Sequence, residues 1–191
     1  MACPKIHYLY IMKIIAFAGS NSSRSINKKL VTYAAGLFQN PDTEILDLND
    51  YEIPLYSIDR EEQFGHPILA KDFLEKIGSA DVLVVSLPEN NGNYSSAFKN
   101  LFDWCSRIRK DVFQDKPMLL MATSPGARGG KSVLEIAENN LPRYGGNIKA
   151  IFSLPSFNDN FDVENGKISN AELDNQLKKI VSEFSKENGT I

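Results

Sequence analysis

Apolar residues along this chain gather into a few short runs, separated by stretches in which they recur every three or four positions. KIIAFA (13–18), DVLVVSL (81–87), PMLLMAT (117–123) and IKAIFSL (148–154) are continuous rather than alternating. Such runs predict strands buried on both faces, as when helices cover both sides of a parallel sheet. TEILDL (43–48) alternates more and predicts a fifth, less buried strand.

Between the runs lie five helical stripes. Ile26, Leu30, Val31, Ala34 and Phe38 form the first; Leu69, Phe73 and Ile77 the second; Ala97, Phe98, Leu101, Phe102, Cys105 and Ile108 the third. Val133, Ala137 and Leu141 form the fourth, and Leu173, Leu177, Ile180, Val181 and Phe184 the fifth. Each stripe needs a sheet face to cover. Strand followed by helix, five times over, predicts a right-handed, doubly wound α/β domain. The longest loops, 51–65 and 155–167, are long enough to be functional or interfacial.

Composition narrows the picture. A chain of 191 residues, 42% hydrophobic and 24% charged, fits one ordinary globular domain. Twenty-one Lys and Arg against 24 Asp and Glu give a formal charge of −3 without a basic block, so nucleic acid is not an expected partner. No run approaches the ~18 to 20 apolar residues of a membrane span, so no membrane partner is expected either. Cys3 and Cys105 stand far apart, which suggests neither a zinc site nor a disulfide framework and fits a reducing cytoplasm. Residues 1–11 precede Met12, where the first strand opens. They read as an amino-terminal extension, with Met12 as the biological start and 12–191 as the folded domain.

In open α/β sheets, ligands bind beyond the carboxyl ends of the strands, where strand order reverses. Strand one ends in GSNSSRSIN (19–27), which runs into a helix whose first N–H groups point outward at the positive end of its dipole. Ser20, Ser22, Ser25 and Asn27 add hydrogen-bonding groups and Arg24 adds charge, a set suited to a phosphate. The same residues also suit a serine-rich turn with Ser25 as N-cap and Arg24 in solvent. Strand three ends in PENNGNY (88–94), whose Pro88, Asn90, Asn91 and Gly92 permit tight turns that leave backbone donors uncovered. Strand four ends in SPGARGG (124–130), whose glycines clear a path for a planar ligand. Arg128 either reaches a ligand phosphate or stands in solvent.

Together these segments resemble the NADPH-dependent FMN reductase family of the flavodoxin-like fold. That family's motifs look like GSxRxxSxN, PEYNGSxPxxLKNxxDW and SPGxxGG, and stand here as GSNSSRSIN, PENNGNYSSAFKNLFDW and SPGARGG. Lys99, Asn100, Asp103 and Trp104 are an especially close match. The resemblance runs from about Met12 to the last helix and implies a three-layer sandwich around a five-stranded parallel sheet of order 2-1-3-4-5. It implies that Ser20, Ser22, Arg24, Ser25 and Asn27 hold the phosphate of flavin mononucleotide (FMN). Pro88, Glu89, Asn90, Asn91 and Gly92 would then line the ring, with Ser124 and Gly126 facing it from the next loop. Two positions depart from the pattern. Asn90 replaces the ring-loop Tyr, and Ser95 replaces the Pro before the third helix, where Ser can still cap.

The resemblance also implies a homodimer or homotetramer that takes hydride from NADPH or NADH and passes electrons to a small acceptor by a ping-pong mechanism. The acceptors handled within such a family include quinones, azo compounds, metal oxyanions and free flavin. Flavin carries the difficult step itself, so no catalytic side chain is expected. His7 and His66 lie away from the strand ends, and no GxSxG elbow suggests a hydrolase. Cys105 sits on an apolar stripe and reads as core, while Phe102 and Trp104 are expected to pack. Two other readings stay open: an electron carrier without nicotinamide activity, and a non-enzymatic module that binds a phosphate-bearing ligand.

Overall fold

A computed structural model describes residues 11–188. The reading of 1–11 as an extension therefore falls, except for Ile11, outside the described residues, as do Cys3 and His7. The five strands β1 (Lys13–Ala18), β2 (Asp42–Leu46), β3 (Val82–Leu87), β4 (Pro117–Thr123) and β5 (Asn147–Leu154) form one parallel sheet. Its order is β2-β1-β3-β4-β5, as the resemblance implies. Strand order reverses between β1 and β3, which sets the ends of those strands side by side at one rim.

Two hydrophobic layers sandwich the sheet. On one face α1 (Ile26–Ala35) and α7 (Ala171–Asn188) pack Leu30, Val31, Leu177 and Val181 against Ile14, Ala16, Val84 and Met121. On the other, α3 (Ile68–Ser79), α4 (Ser96–Ile108) and α5 (Lys131–Asn140) cover Ile15, Phe17, Leu83, Val85 and Leu120. Successive strand residues thus feed opposite cores, the reason the runs read as continuously apolar. Aromatic rings order the second layer: Phe98 stacks on Phe17 and Phe102, and Tyr94 meets Phe98 edge-on at 5.3 Å.

Four details differ from the sequence reading. β5 is an edge strand; Phe152 and Leu154 are buried, but its first half is only partly covered. β2 ends at Leu46, because Asp47 turns the chain by capping a short 3-10 segment, Leu48–Tyr51. The buried face of α3 is Ala70, Phe73, Leu74 and Ile77, while Leu69 is half-buried. Both long loops hold structure: the first carries α2 (Ile58–Phe64), the second α6 (Phe157–Asn160) and a small hairpin of β6 (Phe161–Asp162) with β7 (Lys167–Ile168).

Candidate active site at the strand ends

The loop after β1 is wound into consecutive turns by its own serines. Ser20 Oγ accepts from the Ser22 N–H at 3.2 Å, Ser22 Oγ from Arg24 N–H at 3.3 Å, and Ser25 Oγ caps α1 by accepting from Lys28 N–H at 3.1 Å. These hydroxyls accept from the backbone and keep their own protons to donate outward. The first-turn N–H groups of Ile26 and Asn27 have no intrahelical acceptor and lie at the positive end of the helix. Ser22 and Arg24 are exposed, and Arg24 has no carboxylate partner among the described residues. An anion seated here would meet oriented donors and a free cation.

Asn27 does a different job from the one its motif position suggests. The residue is 2% exposed and its amide bonds through both Nδ2 and Oδ1. Nδ2 donates to the Thr123 carbonyl at 3.1 Å, and Oδ1 accepts from Thr123 N–H at 3.0 Å and Ser86 Oγ at 2.8 Å. The amide therefore docks the start of α1 onto the rims of β3 and β4.

The loop after β3 closes as a two-residue hairpin. Asn90 and Asn93 exchange backbone hydrogen bonds at 2.9 and 3.1 Å, and between them Asn91 (φ 52°) and Gly92 (φ 74°) are both left-handed. Positive φ at both central residues defines a type I′ turn, for which Asn-Gly is the favoured pair. The turn exposes Asn90 and Asn91 at its tip. Ser95, which is buried, ties this loop to the first: Oγ accepts from Phe98 N–H at 3.1 Å, capping α4, and donates to the Gly19 carbonyl at 2.5 Å. A Cβ at Gly19 would come 2.9 Å from Leu87 Cδ2 and 3.2 Å from Phe98 Cβ, so a larger residue there would require those side chains to shift.

Glu89 points away from the turn tip. Its Oε2 accepts from the backbone N–H groups of Ser132 and Val133, at 3.0 and 3.3 Å, in the first turn of α5. The loop after β4 is fixed on its other side, where Ser156 N–H donates to the Gly126 carbonyl and Phe157 N–H to that of Ser124, both at 3.0 Å. Ser156 belongs to the loop after β5 and was not among the candidates. The strand-end rule that selected the other loops points to it equally. Arg128 is exposed and donates to Ser132 Oγ at 2.8 Å.

Gly126 gives the clearest sign of what the rim is built to receive. Its φ is not in the left-handed region, and a Cβ there would meet only Ser124 Oγ, at 3.9 Å. Neither packing nor backbone conformation requires glycine there, and the space beside it is open. The oriented donors of the first loop, the uncovered N–H groups of the hairpin tip and this open glycine fit a molecule with a phosphate at one end and a flat ring at the other.

A cleft of about 280 Å³ adjoins the phosphate loop, lined by Asn21, Tyr51, Leu55, Ser96, Ala97 and Asn100 among others. Its outer wall is pinned by the closely matching third-helix motif. Asn100 Oδ1 accepts from Tyr56 N–H at 2.8 Å, its Nδ2 donates to the carbonyls of Ile53 and Pro54, and Trp104 Nε1 donates to the Pro54 carbonyl at 2.7 Å. Glu61 continues the clamp, accepting from Tyr56 Oη, His66 Nε2 and, at 2.9 Å, Arg107 Nε. Burial alone would raise the Glu61 carboxyl, but these three donors hold it below its ordinary value. Cys105 lies in the core as expected; burial pushes its thiol up to about 12.

The strand order and the helices on both faces define a flavodoxin-like α/β protein, in which the strand-order reversal is where ligands bind in open sheets. Comparison with known proteins gives the family. The model for NADPH-dependent FMN reductases matches residues 12–157, and the chain belongs to that family, whose members are flavoprotein oxidoreductases that use FMN and NAD(P)H. It is 29% identical over 150 residues, 76% of this chain and 88% of the relative, to an uncharacterized protein of Mycoplasma pneumoniae. It is 34% identical over 119 residues to the NAD(P)H-dependent FMN reductase PA1204 of Pseudomonas aeruginosa, covering 62% of this chain and 63%, under two thirds, of that one. The flavoenzyme NAD(P)H:(acceptor) oxidoreductase FerB of Paracoccus denitrificans shares the fold, with a TM-score of 0.73 at 22% identity, covering 94% of this chain and 100% of that structure. Among the described residues no helix is long and apolar enough to cross a membrane.

Proposed function

We propose that this protein is an NAD(P)H-dependent reductase that passes electrons through FMN to a small acceptor, with quinones the first class to test. The observation that carries the site is that the Asn91-Gly92 turn and the open glycine at 126 follow neighbouring parallel strands, β3 and β4, at the same rim of the sheet. In this reading the FMN phosphate lies on the N–H groups of Ile26 and Asn27, the hydroxyls of Ser20 and Ser22, and the Arg24 guanidinium. Ser25 and the Asn27 side chain shape that loop from behind. Pro88, Asn90, Asn91 and Gly92 border the ring on one side and Ser124 and Gly126 on the other, while Glu89 braces them. Bound FMN supplies hydride acceptance and one- or two-electron release. The chain's part is to hold the ring with one face open, and the uncovered N–H groups at the hairpin tip favour negative charge on it.

A ring open on one face admits one planar partner at a time, which supports a ping-pong cycle in which the nicotinamide leaves before the acceptor enters. Steady-state oxidation of NADPH and NADH against a series of quinones tests this: parallel double-reciprocal lines are expected, and intersecting lines would contradict it. Homologues named as quinone reductases support the choice of acceptor class. We also read 12–191 as the FMN-binding domain and the cytoplasm as its compartment, the latter on the free, buried thiol of Cys105. A homo-oligomer is supported by Leu55 (69% exposed), Ile58, Phe64 (74% exposed) and Ile68, exposed apolar side chains on and on either side of α2 in sequence.

A further inference from the structure

Helix α5 starts without a cap of its own. It follows Gly130, whose φ of 79° is left-handed and where a Cβ would come 2.7 Å from Ala122 Cβ. Gly129, at φ 59°, would bring a Cβ 2.9 Å from Pro155 N. Both positions demand glycine, and glycine has no side chain with which to accept from the orphan N–H groups of the first turn. Glu89, 43 residues earlier, supplies the acceptor through its bonds to Ser132 and Val133, with its charge at the positive end of α5.

Glu89 stands immediately before the Asn90–Asn93 turn, so this cap also ties the loop after β3 to the loop after β4. Further bonds to Gly126 and Ser124 hold the second loop from the β5 side, but between the two ring loops the carboxylate is the tie that carries charge. We infer that Glu89 is a positioning residue: it sets the spacing of the two ring loops, and through that spacing how tightly they hold FMN, without touching the cofactor itself. This rests on the proposed placement of the ring between those loops. A cap that served α5 alone would affect the helix and leave FMN affinity unchanged.

The test compares the full-length protein with its Glu89→Ala, Glu89→Gln and Glu89→Asp variants. Amide exchange at Ser132 and Val133 is followed without FMN, and FMN affinity by quenching of flavin fluorescence. Glu89→Ala is expected to speed exchange at both amides and weaken FMN binding by about tenfold, the scale of one lost charge-assisted hydrogen bond. Glu89→Gln keeps an acceptor oxygen at the same reach but loses the charge, and is expected to restore protection and affinity in part, to values between those of Ala and wild type. A folded Glu89→Ala protein with fast amides and wild-type FMN affinity would overturn the inference, as would Glu89→Gln binding FMN as poorly as Ala. Should the Ala variant not fold, Glu89→Asp decides, since its carboxylate is one methylene short: weakened binding supports the tie, and wild-type affinity overturns it. If FMN slows exchange in neither loop of the wild-type protein, the ring placement fails, a result separate from any effect of the variants.

Discussion

Arg24 stands in solvent on the phosphate loop with no carboxylate partner among the described residues, so its charge is free for an anion. Replacing it with Ala is expected to weaken FMN binding by about 1–3 kcal/mol, less at high salt, measured by titration of the apoprotein. Unchanged affinity would return Arg24 to the solvent. Tyr94 presents the opposite case. It is 8% exposed, its hydroxyl has no hydrogen-bond partner among the described residues, and burial pushes it from its ordinary 10.0 up to about 12. The folded state retains a proton that the unfolded chain releases, so this stability is intact at neutral pH and is lost as pH rises through about 10 to 12. The Cys105 thiol acts in the same direction from about pH 9 upward. Tyr94→Phe is expected to match or exceed wild-type stability at neutral pH, since an unsatisfied buried hydroxyl costs about 1–3 kcal/mol, and to lose less towards pH 11. Urea unfolding at the two pH values checks this; a marked loss at neutral pH would mean that the hydroxyl has a partner. Residue identity at the site was legible from the motifs, whereas side-chain direction was not. Asn27 and Glu89 occupy ligand-motif positions, yet the Asn27 amide bonds Thr123 and Ser86, and Glu89 Oε2 bonds the α5 N–H groups. Those partners lie 43 to 96 residues away, beyond the reach of any local pattern.

At the scale of elements, continuous apolar runs located β1, β3, β4 and β5, and the more alternating 43–48 segment located the less buried edge strand β2. β5 reads the same way in sequence but lies at an edge, a fact that depends on strand order rather than on its own residues. Helix α2 escaped notice for a physical reason: it buries no residue and so has no apolar stripe to read. Its signals are Ser57, which caps it, and Gly65 (φ 70°) at its end, while the Glu61 clamp to Arg107, Tyr56 and His66 holds it against the body. The ring loop was legible as a turn from Asn91-Gly92, though its exchange of bonds between Asn90 and Asn93 needs the backbone. With Asn rather than an aromatic residue at 90, the exposed hairpin tip presents a smaller, polar side chain to whatever stacks on the ring.

For the whole molecule, strand order and the placement of α1 and α7 opposite α3, α4 and α5 follow from right-handed crossovers and a single reversal beside β1. Leu55, Ile58, Phe64 and Ile68 account for four of the six exposed large hydrophobic residues among the described ones, the others being Ile11 and Val163. Replacing Phe64 with Glu is expected to shift the sedimentation of the purified protein to a smaller species; an unchanged monomer before and after would contradict a homo-oligomer built on this patch. The claim on which everything else depends is that FMN held at this rim takes electrons directly from a nicotinamide. Anaerobic mixing of the FMN-loaded, desalted protein with NADPH or NADH, followed at the oxidised flavin band, tests it most directly. Prompt bleaching by at least one of them, with colour restored on adding a quinone, is the predicted result. A flavin that leaves the protein on desalting, or stays oxidised with both, would contradict the account.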